Sequence, residues 1–142
     1  MYGGYLVIET DSAKPGLVRI MERASVPAEP RPRHSKGPRV LYSARFDDLS
    51  AGHMHAHAAL RHDLVDVDEG TYRSDPIRAI AAVDASDLSH RVVYVDPGLE
   101  NDPALIRAIA ERRKKHALVD RIWHAAGVIA VLFLLIKLLL GF

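Results

Sequence analysis

The chain has 142 residues, room for one small domain and an appendage. With 49% apolar and 26% charged residues it is not a disordered chain, and the absence of cysteine excludes thiol catalysis, disulfides and zinc or iron–sulfur sites built on thiolates. The net charge of +1 conceals an asymmetry: residues 1–100 hold 12 Lys and Arg against 15 Asp and Glu, whereas residues 101–142 hold 7 against 3. A mildly acidic body on a basic neck is poorly suited to nucleic acid, whose affinity is dominated by phosphate neutralisation, so none is expected as a partner.

In chain order, residues 5–9 (YLVIE) and 17–21 (LVRIM) are short runs rich in strand-forming residues. The segment between them holds Asp11, Ser12, Pro15 and Gly16, which predicts a hairpin with a long loop. In the first run Leu6 and Ile8 alternate with Tyr5 and Val7, the period of a half-buried strand. Residues 26–38 follow as a proline-rich loop: Pro27, Pro30, Pro32 and Pro38 fall within twelve residues, and Arg31, Arg33 and His34 make it a candidate docking loop for a partner. Residues 40–46 (VLYSARF) restore a strand. Ser50 or a near neighbour caps a helix to about residue 63, Asp75-Pro76 opens a second helix, and residues 91–95 (RVVYV) form a last strand. The acidic run Asp63, Asp66, Asp68 and Glu69 lacks calcium-loop spacing and reads as a solvated loop. The expected fold is a small α+β body over residues 1–100, with three or four strands and two short helices, followed by one long C-terminal helix.

That last helix starts at Asp102-Pro103, an N-cap with proline in the first turn. Its first part, residues 101–121, is a basic juxtamembrane segment carrying Arg112, Arg113, Lys114, Lys115 and Arg121, suited to anionic lipid headgroups. Residues 122–142 (IWHAAGVIAVLFLLIKLLLGF) then carry a single fixed charge, Lys137. A helix of this length reaches about 30 Å, the hydrocarbon thickness of a bilayer. Trp123 stands where an interfacial anchor is expected, and Lys137 lies close enough to the end for its ammonium to snorkel to the far headgroups. The positive flank predicts a cytoplasmic N-terminal body with the C-terminus across the membrane, which in a bacterium is the inner one. The first residues lack a basic start and a long apolar run, so no signal peptide is expected.

Taken together, residues 4–85 resemble the GIY-YIG nuclease-like domain. GYLVI (4–8) stands for the first motif strand, KPGLVRIM (14–21) for the second, VLYSARFDD (40–48) for the third. HMHAHAAL (53–60) matches the helix, with His57 on the family's histidine, and TYRSDPIRAIAAV (71–83) the closing segment. The resemblance implies a compact α+β fold and, in an active member, phosphodiester hydrolysis at a divalent metal. This chain departs from the pattern at the residues that carry the chemistry. Met21 replaces the glycine of the second motif, and His53 replaces the metal-binding glutamate. The proline-rich loop stands where the family's arginine-bearing helix belongs, leaving only Arg31 or Arg33 as substitutes. Hydrolysis of this kind needs a carboxylate for the metal and a fixed cation for the developing charge.

His53, His55, His57 and His62 crowd one helix, and His53 and His57 are four apart, a spacing that can hold a transition metal. A third ligand would come from elsewhere, with Asp63, Glu69 and His90 as candidates. No phosphate loop of the GxxxxGK[ST] or GxGxxG kind and no GxSxG elbow is present, and no cofactor is expected. The expected function is therefore contact: a non-catalytic, single-span accessory or structural subunit of an inner-membrane complex, with respiratory or photosynthetic assemblies as natural hosts by analogy. Its expected partners are other membrane subunits and anionic lipid headgroups. The alternatives are a membrane-tethered metal-dependent nuclease of the GIY-YIG type, with His53 and His57 as rearranged ligands, and a tail-anchored adaptor recruiting a soluble protein through the proline-rich loop.

Overall fold

A computed structural model describes residues 3–26 and 37–141 of the chain. It begins with the antiparallel strands β1 (Gly4–Asp11) and β2 (Val18–Arg23), in register from Tyr5 opposite Arg23 to Thr10 opposite Val18. Turn chemistry sets that register: the Asp11 carboxylate accepts from the Ala13 amide at 2.9 Å, and Gly16 supplies the positive φ of 77°. On its other side β1 pairs with β3 (Pro38–Phe46), and β3 pairs with β6 (His90–Val95).

Two further strands were not legible in the sequence. β4 (Leu64–Asp66) and β5 (Thr71–Tyr72) extend the sheet beyond β2, so the order is β4-β5-β2-β1-β3-β6, antiparallel throughout. At three and two residues they are too short for any period to show, and acidic side chains dominate the turn between them. The acidic run expected as a solvated loop is thus a hairpin. Gly70, at φ 61°, closes it, and its carbonyl accepts from the Ile20 amide at 2.9 Å. A Cβ there would stand 2.4 Å from the Ile20 carbonyl oxygen, so both the dihedral and the close approach require glycine.

The helix α1 (Leu49–Leu60) is capped by Asp48, not Ser50: the Asp48 carboxylate accepts from the Ala51 amide at 3.0 Å, while Ser50 lies inside the first turn. It ends at Leu60, and residues 61–63 form a 3₁₀ turn. Helix α2 (Pro76–Asp84) starts after Asp75 with proline in its first turn. A short turn of helix, α3 (Pro97–Glu100), then leads into α4 (Pro103–Leu140).

Helices α1 and α2 cover one face of the sheet. Leu6, Ile8, Ile20, Tyr42, Ala44 and Phe46 from the strands meet Leu49, Ala56, Leu60, Ile80 and Val83 from the helices. Gly52 lets α1 approach closely, since a Cβ there would come 2.8 Å from the Phe46 ring. The expected alternation in β1 fails at Val7, which is as buried as Leu6 and Ile8. β1 is a central strand, and Val7 stands between Met21 of β2 and the buried Ser43 of β3 on the sheet's second face. Leu105 and Ile109 of α4 also join the core, so the body extends past residue 100 into the first turns of the last helix.

Candidate functional site

The region that carries most of the chain's distinctive features is the place where α4 leaves the body. Asp102 caps the helix, accepting from the Ala104 amide at 2.8 Å, and Gly141, at φ 69°, terminates it in the left-handed conformation. The helix runs for 38 residues, about 57 Å at the usual rise. It is long and apolar enough to cross a membrane, and no residue of its most apolar stretch is buried against the body.

The first turns of α4 lie on α2 and are held by a buried carboxylate. Asp84, at the last turn of α2, accepts from the Tyr42 hydroxyl at 2.8 Å and from the Arg113 guanidinium at 3.0 Å. His90 Nε2 stands 3.7 Å from the same carboxylate, and its ring stacks on Phe46 at 4.9 Å. A carboxylate at a helix C-terminus opposes the helix dipole, so Asp84 depends on these donors. Burial raises the Tyr42 hydroxyl far above the ordinary phenol range, with the Asp84 charge and hydrogen bond adding to it and Arg113 acting against it. One turn further on, His116 Nδ1 lies 3.3 Å from Asp87, and its ring meets the His55 ring edge-on at 5.7 Å. Burial pushes His55 below the ordinary histidine range; His116 and Arg112 add to the shift and Asp87 opposes it.

This seat divides the basic neck. Arg113 is spent on Asp84, and Arg112 is half-buried, its pKa lowered first by burial and then by Arg78. Lys114, Lys115 and Arg121 are exposed, as is Trp123 at the start of the apolar stretch. Lys137 folds back over the Phe133 ring, 5.7 Å from its centroid.

The histidines of α1 are drawn in different directions. His53 Nδ1 lies 2.7 Å from a Glu22 carboxylate oxygen, whereas His57 Nδ1 lies 3.0 Å from the Tyr72 hydroxyl, and burial raises that hydroxyl's pKa. The candidates for a third metal ligand are engaged apart from them: Asp63 pairs with Arg78 at 2.9 Å, Glu69 with Lys14 at 3.4 Å, and His90 faces Asp84. Among the described residues no group of three or more His, Asp or Glu is placed to hold a metal ion. Arg31, Arg33 and His34, the candidate docking residues, lie outside the described residues.

Sequence reasoning missed Asp84. The available signal was a lone carboxylate ending a mostly apolar helix, IRAIAAVD, where the dipole disfavours it unless a cation comes from another element. No family model, curated protein or solved structure matches the chain.

Proposed function

We propose that the protein is a single-span membrane subunit that works by contact rather than catalysis, with α4 as its anchor and the α+β body as a docking module on the cytoplasmic face of an inner-membrane complex. The observation that carries this reading is the continuity of α4. One uninterrupted helix is both part of the body's core, through Leu105 and Ile109, and long and apolar enough to span a bilayer. A flexible linker would leave the body free to search for soluble partners. A rigid helix clamped by Arg113 and Asp84 instead holds it at a fixed height and azimuth, the geometry useful to a subunit with fixed neighbours.

The contact reading also suits the side chains with chemical potential. Tyr42, Asp84, His90 and Arg113 are used to seat the helix, and His53 and His57 pair with separate residues. The test is purification of tagged protein from its native membranes in mild detergent, read by native gel and mass spectrometry. Co-migration with other membrane subunits at fixed stoichiometry is expected. Migration alone, or with only a soluble protein, overturns the reading.

A further inference from the structure

A row of side chains crosses the second face of the sheet, the face not covered by α1 and α2. Arg23 of β2 is directly opposite Tyr5 of β1, Tyr5 is opposite Arg45 of β3, and Arg45 is opposite Arg91 of β6. Four adjacent strands contribute one residue each, over a width of about 14 Å. All three arginines are exposed, and none forms an ion pair among the described residues. Arg45 and Arg91 face one another as like charges, an arrangement that destabilises a sheet in the absence of a counter-ion. Among the described residues nothing rewards this row.

Its position does. Helix α4 leaves the body at the same end: Arg113 meets Asp84 at the last turn of α2, His116 meets Asp87, and Asp84 lies beside His90, the residue next to Arg91. Residue 122, where the apolar stretch begins, lies only six residues past His116, about 9 Å along the helix. The arginine row and the exposed Lys114, Lys115 and Arg121 therefore both lie towards the end of the body from which the apolar stretch departs. The carboxylates at this end are already engaged: Asp47 with the Ser89 hydroxyl at 2.6 Å, Asp48 with the Ala51 amide, and Asp87 with His116.

Resting on the membrane-anchor reading above, we infer that Arg23, Arg45 and Arg91 form a second lipid contact, gripping the phosphates of an anionic phospholipid surface while Tyr5 lies at the headgroup level. The body then stands on the membrane at two places, the helix and this end of the sheet's second face, and both its height and its orientation are fixed. Guanidinium groups suit this role because their planar forks pair with phosphate oxygens in a bidentate fashion. Each arginine near an anionic surface favours the docked state about fivefold, so three together favour it on the order of a hundredfold.

The chain has no cysteine, so Ala24→Cys places a single fluorophore beside Arg23 on the full-length protein. Reconstituted in vesicles containing phosphatidylglycerol and a headgroup-labelled quencher lipid, the fluorophore is expected to be quenched. The quenching should vanish in pure phosphatidylcholine, in salt near 1 M where screening is about 3 Å, and in the triple variant Arg23→Gln, Arg45→Gln, Arg91→Gln. The triple variant should melt no lower than the parent, because it removes a like-charge row; if it does not fold, Arg91→Gln alone, on the edge strand β6, is read in the same way. Quenching that survives the arginine substitutions overturns the inference. So does a single-stranded oligonucleotide that binds the detergent-solubilised chain through these arginines while vesicle quenching stays independent of lipid charge. Release of the protein from native membranes by alkaline extraction overturns the anchor reading itself; retention with charge-independent quenching overturns only the lipid contact.

Discussion

Asp84 ties α2 to the sheet and to α4. It is buried, it ends a helix, and it gathers a tyrosine from the sheet, a histidine from the edge strand and an arginine from α4. Asp84→Ala leaves the Tyr42 hydroxyl buried without a partner, for an expected loss of about 2–3 kcal/mol and on the order of 10 °C in melting temperature. Arg113 is largely exposed, so Arg113→Gln should cost only about 0.5 kcal/mol. Calorimetry of the detergent-solubilised chain separates the two; equal losses would show that the ion pair, not the buried hydroxyl, dominates. The same seat responds to pH. His55 is held below its ordinary range, so below about pH 6.5 the unfolded chain takes up a proton that the folded chain resists, and stability declines as pH falls through that value. His55→Gln should flatten this acid limb. Tyr42 and Tyr72 act in the opposite direction, their raised values withdrawing stability above about pH 10, where the unfolded phenols ionise.

At the scale of elements, legibility followed the length of the signal. Strands form over residues 5–9, 40–46 and 91–95, and the one expected at 17–21 forms as Val18–Arg23; so do the helices opened by Asp75-Pro76 and Asp102-Pro103, because each has either a full period or a local cap to announce it. β4 and β5 were not announced: pairing with β2 creates them, and pairing is a property of the tertiary fold. The seat of α4 was hidden for a related reason. Residues 103–121 look like a solvated basic helix, and only the tertiary contacts show that Leu105 is buried and that Arg113 reaches Asp84 while Lys114 and Lys115 stay exposed. His53 and His57 are four apart on α1, yet each ring lies against a different strand residue, which sequence spacing does not encode. Two substitutions test these elements. Gly70→Ala should cost several kcal/mol, about 3 or more, because it strains a positive φ and collides with the Ile20 carbonyl. Leu105→Ala should cost about 2–4 kcal/mol and speed hydrogen exchange in residues 103–113 relative to the sheet. Uniform exchange across both would contradict a separately seated helix.

For the molecule as a whole, the distribution of charge has a structural meaning that its net value of +1 conceals. Exposed Arg23, Arg45 and Arg91 lie at the end of the sheet beside His90, and Lys114, Lys115 and Arg121 lie on α4 just before its apolar stretch. Lys137, by contrast, stands alone near the far end of α4, its ammonium over the Phe133 ring. If it snorkels, Lys137→Leu should leave both membrane retention and co-migration on native gels unchanged; loss of co-migration with retention intact would identify a carboxylate partner in a neighbouring span.

The unbroken helix has one more consequence. With α4 inserted as proposed, a segment that is rigid from the core of the body to its last apolar turn would act as a lever whose fulcrum is the headgroup layer. When a bilayer thins, a span that is too long for it tilts. A tilt of about 20° is ordinary for such helices, and over the roughly 25–30 Å of α4 above the interface it would swing the far side of the body sideways by about 10 Å. Changes in lipid thickness would thus be transmitted to the aqueous side as translation, and the arginine row would decide how freely that lever moves.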